Sequence, residues 1–139
     1  MNDSRRHRQG MTVRRAVLGD AHVDRAIAAT TDFNRDFQDY ITRNAWGEVW
    51  TRPGLPRATR SLLTLVMLVA LNRGDEFRLH VRGALRNGVT PAQIREALLQ
   101  CAVYCGVPAA NAAFQLAAEV LREAEVAAKP AAKKKNKSR

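Results

Sequence analysis

Glu76 and His80 lie four residues apart, which puts them one turn from each other on a single helix face. A carboxylate so placed can orient an imidazole and favour its protonated form. An imidazole held that way can serve as general acid, general base or oxyanion donor. The same spacing also describes an ordinary surface pair worth roughly 0.2–0.5 kcal/mol. His80 borders an apolar stripe of Phe77, Val81, Ala84 and Leu85, so packing is the competing role. Cys101 and Cys105 are again four apart, with Tyr104 between them. Both thiols continue the stripe of Ile94, Ala97 and Leu98, and packing is the expected role of Cys101. Two thiols and one histidine on different elements make no ligand-spacing motif, so no metal site is expected. Glu96 falls off that stripe, either as a surface residue or as a second carboxylate near a pocket.

The elements that must position these groups are legible in the stretch Arg73 to Asn111. A helix is expected from about Asp75 until Asn87-Gly88, where glycine accepts the left-handed geometry of a helix end. Thr90 can cap the next helix, with Pro91 at its first position and Gln93 three after the cap. Gly106 and Pro108 should end it.

Upstream, Val13–Leu18 reads as a short helix ended by Gly19, and Asp20 opens another through Ala28. A longer helix from Thr31 or Asp32 carries Phe33, Phe37, Tyr40, Ile41 and Ala45 at helical spacing. Trp46 to Arg57 reads as a loop of Trp, Pro, Gly and Arg, able to line a pocket or cover a core edge. The helix from Arg57 to Asn72 has no polar face through Leu62–Leu71, and such a helix asks to be buried all round, in part by another subunit. Ala109–Ala127 makes the last helix, with Phe114, Leu116, Val120 and Leu121 inward. No segment alternates with period two, so the expected class is all-α.

The chain of 139 residues suits one domain. Its net charge of +10 raises nucleic-acid binding, but the excess sits at the ends. Lys129, Lys133, Lys134, Lys135, Lys137 and Arg139 meet no acid, and the body between is near neutral. Residues 1–10 are expected as a disordered arm, 11–128 as the folded domain and 129–139 as a disordered basic tail. No signal peptide is read at the start, and no apolar run reaches the ~20 residues of a membrane span. A cytoplasmic protein with reduced thiols is expected.

Ala84, Gly88 and Ile94 also have helix-turn-helix offsets, offering Gln93, Arg95 and Gln100 to bases. That helix is poor in basic residues and turns apolar from Ala97, which argues against DNA.

The pattern Arg57-x-x-Arg60-Ser61-Leu62, Glu76-x-x-x-His80, Asn87-Gly88-Val89-Thr90, Ile94-x-Glu96 and Tyr104–Ala110 resembles the gamma-carboxymuconolactone decarboxylases. The likeness runs from about Met11 to about Glu125. The related AhpD-like peroxidases carry Cys-x-x-Cys-x-x-x-His; here Arg73 and Glu76 stand at the two cysteine positions before His80, so the redox pair is gone. The resemblance implies an AhpD-like helical bundle assembled as trimers or hexamers. It also implies cofactor-independent loss of CO2 from 4-carboxymuconolactone, giving the enol-lactone of 3-oxoadipate in protocatechuate catabolism. Under it, His80 and Glu76 are the catalytic candidates. Arg57 and Arg60, then Arg73 and Arg82, are candidates for holding a carboxylate. Trp46, Tyr104, Cys105 and Asn111 are candidate pocket residues. The competing expectation is a catalytically silent, small-molecule-binding member of the same superfamily.

Overall fold

The computed structural model describes residues 2–136, with side chains described as far as Lys129. The described residues form seven α-helices and one π-helix, with no strand, which places the chain in the all-α class. The helices are α1 (Asp3–Leu18), α2 (Asp20–Ala28), α3 (Arg35–Ile41), α4 (Arg57–Ala70), α5 (Gly74–Arg86), α6 (Pro91–Tyr104) and α7 (Val107–Asn136). The π-helix, Thr42–Val49, continues α3. No helix is long and apolar enough to cross a membrane among the described residues. Two compact units are present. One is the chain up to Leu63 with Gly83–Val89; the other is Thr64–Arg82 with the chain from Thr90 onward.

In the first unit α1 lies along the π-helix, backbone against backbone. A β-carbon on Gly10 would collide with the Thr42 carbonyl oxygen, and one on Gly47 with the Arg6 carbonyl oxygen. This corrects the expectation of a disordered arm at residues 1–10. The Asn2 side chain accepts from the Arg5 amide at 2.8 Å, Asp3 supports the helix dipole, and Gly10 is buried. Apolar periodicity could not reveal this helix, because its contact is made through glycine rather than through large side chains.

The C-terminal part of α1 is fixed from α5. The Arg86 guanidinium donates to the Val17 carbonyl at 3.1 Å. The Asn87 amide at the end of α5 donates to the Ser61 hydroxyl at 2.9 Å. Phe33, Phe37 and Tyr40, read as part of a row at helical spacing, are exposed at 98%, 60% and 59%. Their row has helical spacing, but α3 buries none of its residues. The loop expected from Trp46 begins later, because the π-helix carries the chain through Val49.

The second unit buries Leu65 and Val69 of α4, Phe77 and Val81 of α5, Ile94, Leu98 and Cys101 of α6, and Val120 of α7. Ala110, Ala113 and Ala117 line the inner row of α7. Their small side chains let α7 pack closely on α6. Phe114, expected inward, is 36% exposed. Asn72, at φ 57, turns the chain between α4 and α5, a left-handed position asparagine tolerates better than most residues. Thr90 and Gln93 form the expected capping box on α6. Pro108 does not stop α6 but stands in the first turn of α7. The last helix, expected to stop at Ala127, runs to Asn136, so the basic stretch expected as a disordered tail from Lys129 is helical that far. Residues 137–139 lie outside the described residues.

Candidate active site

Helix α5 presents Glu76 and His80 one turn apart, with Glu76 exposed and His80 half-buried. The apolar residues Phe77 and Val81 turn inward, so the border position of His80 read from the stripe holds. Two arginines of the same helix are tied to α7. Arg78 reaches Glu119 at 3.2 Å, and Arg82 reaches Glu123 at 3.0 Å. Arg82 is thereby engaged with a carboxylate of its own chain. Arg73 is exposed at the start of α5 and lines a small recess with Asn72, Phe77 and Leu116.

Tyr104 and Cys105 border a cavity of about 300 Å³ together with Val66, Met67, Ala70, Gln100 and Cys101. None of these seven residues is an arginine. Cys101 is buried and Cys105 half-buried, both as free thiols. Burial first, then Cys105 beside it, pushes the Cys101 thiol up to about 11. It is protonated at neutral pH and inert as a nucleophile. Asn111 is exposed on α7, and Glu96 is exposed beside Arg95 at 3.7 Å.

The first unit carries the other three candidates. Trp46 is buried on the π-helix and stacks on Trp50, with ring centroids 5.0 Å apart. It therefore acts at least as core. Arg60 is half-buried on α4 and donates to the Arg52 carbonyl oxygen at 3.3 Å. Arg57 is exposed at the first residue of α4. π-Helices occur often at functional sites, and this one had no signal in residue periodicity.

Arg14 was not singled out from the sequence. It is 5% exposed, and its guanidinium donates to the Thr42 hydroxyl at 3.3 Å and the Gln38 amide oxygen at 3.0 Å. Both partners are neutral. Burial and then the neighbouring Arg15 lower its pKa. Its position one turn from Gly10, on the face of Val13 and Val17, was the available signal.

Among the described residues no group of three or more His, Cys, Asp or Glu side chains is arranged to hold a metal ion.

The model of the carboxymuconolactone decarboxylase family matches residues 35–119, which include α3, the π-helix, α4, α5 and α6. Over 127 residues the chain is 52% identical to the 4-carboxymuconolactone decarboxylase of Acinetobacter baylyi, covering 91% of this chain and 95% of that protein. It is 51% identical over 100 residues to the nitrosuccinic acid decarboxylase of Metarhizium robertsii, covering 72% of this chain and 70% of that one. A 4-carboxymuconolactone decarboxylase sequence from Pseudomonas putida is 56% identical over 48 residues, which is 34% of this chain and all of the relative. The chain belongs to the carboxymuconolactone decarboxylase family. Relatives that match most of the chain are named decarboxylases, and the chain is accordingly a carboxy-lyase.

Proposed function

We propose that this protein decarboxylates 4-carboxymuconolactone to the enol-lactone of 3-oxoadipate, without a cofactor. The observation that carries the reading is the 52% identity along nearly the whole of both chains. The chemistry is consistent with it. The departing carboxylate is attached to a carbon conjugated with the lactone carbonyl. Its electron pair flows into that carbonyl as a dienolate, so the substrate carries its own electron sink.

The protein then has three tasks: to hold the second carboxylate, to stabilise the oxyanion, and to deliver a proton to carbon. Arg57 and Arg60 are assigned to the spectator carboxylate, because a guanidinium grips a carboxylate with two parallel hydrogen bonds. Arg73 is the reserve candidate. Arg82 drops behind it, since Glu123 already engages that side chain. His80 is assigned to proton delivery or the oxyanion, with Glu76 orienting it. Tyr104 and Cys105 are not assigned to carboxylate capture, because the cavity they line is apolar and lacks an arginine.

The chain is further proposed to adopt an AhpD-like bundle and to assemble from several copies, in the cytoplasm. Leu63 and Met67 of α4 and Leu71 just after it are 40%, 56% and 68% exposed, and a second copy would cover them. Sedimentation should then show no stable monomer at micromolar concentration.

The test of function is direct. Purified protein incubated with 4-carboxymuconolactone should release one CO2 per lactone consumed, at a rate unchanged by prior dialysis against a strong chelator. Binding of the lactone without CO2 release would instead favour a catalytically silent member of the family.

A further inference from the structure

Arg14 is buried, and among the described residues it forms no ion pair. Its two hydrogen-bond partners, Thr42 and Gln38, are neutral. Its Nε is enclosed and donates to no group among the described residues. Buried charges are ordinarily paired, and an apolar side chain of similar volume is often no less stable in such a place. What the guanidinium contributes is the place where its two bonds fall, across a change of helix type. Gln38 belongs to α3, and Thr42, one turn later, is the first residue of the π-helix. The Thr42 amide donates to the carbonyls of both Asp39 and Gln38, and its hydroxyl donates to the Gln38 carbonyl at 2.8 Å. Arg14 closes this junction from α1, one nitrogen on the Thr42 hydroxyl at 3.3 Å and the other on the Gln38 amide oxygen at 3.0 Å. A π-turn closes i to i+5, so the point where it starts decides the direction of the side chains that follow. The far end of the π-helix reaches a candidate carboxylate-binding residue. The Trp50 amide donates to the Ala45 carbonyl at 3.0 Å, and the Arg52 amide to the Val49 carbonyl at 3.1 Å. The Arg52 carbonyl in turn accepts from the Arg60 guanidinium at 3.3 Å.

We propose that Arg14 is a positioning residue for Arg60: by bridging Gln38 and Thr42 it sets the start of the π-helix, whose far end holds the Arg60 guanidinium through Arg52. That Arg60 then grips the substrate's second carboxylate rests on the function proposed above. The hold of Arg14 on the π-helix does not.

The test uses the full-length protein and its own fluorophores. The chain has two tryptophans, Trp46 within the π-helix and Trp50 at its end, so tryptophan emission reports on this element. Arg14→Met keeps the apolar stem and removes the fork. It should stay folded by circular dichroism, with emission shifted to the red and easier quenching by acrylamide. Its KM should rise about tenfold, because small misplacements of a binding group are costly, while kcat stays near the parent value. Combined with Arg60→Lys, its effect on KM should be much less than multiplicative, since both changes act on one carboxylate contact. Thr42→Val keeps the shape and removes the acceptor of Arg14, so it should reproduce the emission shift and the raised KM. Thr42→Ser keeps the hydroxyl and should behave as the parent. The Thr42 pair decides the matter if Arg14→Met does not fold. Parent-like emission and KM in Thr42→Val or in folded Arg14→Met would overturn the proposal. So would KM effects of Arg14→Met and Arg60→Lys that simply multiply. A parent protein that leaves the lactone unconsumed would sink the assigned reaction, and the emission of the variants would still judge the hold of Arg14 on the π-helix.

Discussion

A β-carbon placed on Gly10 of α1 would stand 2.8 Å from the amide nitrogen of Gly47 in the π-helix. Real β-carbons essentially never approach so closely, so the two elements touch through backbone alone. Both partners at the contact are backbone atoms, which cannot swing away as a side-chain tip can. Gly10→Ala should therefore destabilise the fold by about 1–3 kcal/mol, as overpacking does. Gly47→Ala should do the same against the Arg6 carbonyl. Gly54 has nothing within 4 Å of a built β-carbon, so Gly54→Ala is the control and should melt close to the parent. Urea denaturation of the three variants decides the matter.

The capping box offers a milder test. The Thr90 hydroxyl accepts from the Gln93 amide at 3.1 Å, and the Gln93 side chain accepts from the Thr90 amide at 3.0 Å. Thr90→Ala orphans one backbone donor in the first turn of α6 and should cost about 1 kcal/mol, with a lower urea midpoint and an unchanged slope.

His22 gives the fold a predictable acid sensitivity. Its pKa lies below the ordinary 6.5, because of burial first and then Arg14, Arg25 and Arg86. The unfolded chain thus takes up a proton at a pH where the folded chain still refuses it. Stability is full above about pH 6.5 and falls as the pH drops from there toward the depressed folded value. His22→Gln should flatten that part of the stability–pH curve. An unchanged slope in the variant would place the acid sensitivity elsewhere.

Much of the stretch from α5 to α6 could be read from residues alone. The i,i+4 stripes of α5 and α6, the Asn87-Gly88 stop and the Thr90 cap are local signals, and each is met in the structure. The first unit hid its logic. Gly10 and Gly47 carry the contact of α1 with the π-helix, and a glycine leaves no periodic mark. Phe33, Phe37 and Tyr40 mark a face correctly, but spacing cannot say whether that face meets the chain's own core. For the candidate site, sequence separates plausible residue types from implausible ones. It cannot show that Arg82 is engaged by Glu123, forty-one residues away, or that Tyr104 and Cys105 open on an apolar wall.

Three of the four candidate arginines should part company in kinetics. Arg57 is exposed and Arg60 is held by the Arg52 carbonyl, whereas Arg82 is paired with Glu123. Arg57→Lys and Arg60→Lys keep the charge and lose the planar fork. Each should raise KM about tenfold, the size of one charge-assisted hydrogen bond of about 1.5–3 kcal/mol partly retained by lysine. Arg82→Lys should leave KM near the parent value. A reversed order would move the spectator carboxylate to α5.

His80 should matter far more to turnover than to folding. It is half-buried at the border of the α5 stripe, while Phe77 and Val81 carry the packing of that face. Asparagine therefore fits the space with modest strain. Its amide can still donate a hydrogen bond, but it cannot exchange a proton near neutral pH. Loss of general acid–base action costs roughly 10²–10⁴ in rate. His80→Asn should fold and assemble as the parent does and turn over at least about a hundredfold more slowly. Glu76 is exposed, so Glu76→Gln removes an orienting charge that water already screens, and its effect on rate should be smaller. Turnover by the folded, assembled variants is the measurement. Near-native turnover by His80→Asn would make His80 a packing residue and send the search for the proton donor to Glu76, Tyr104 and Cys105.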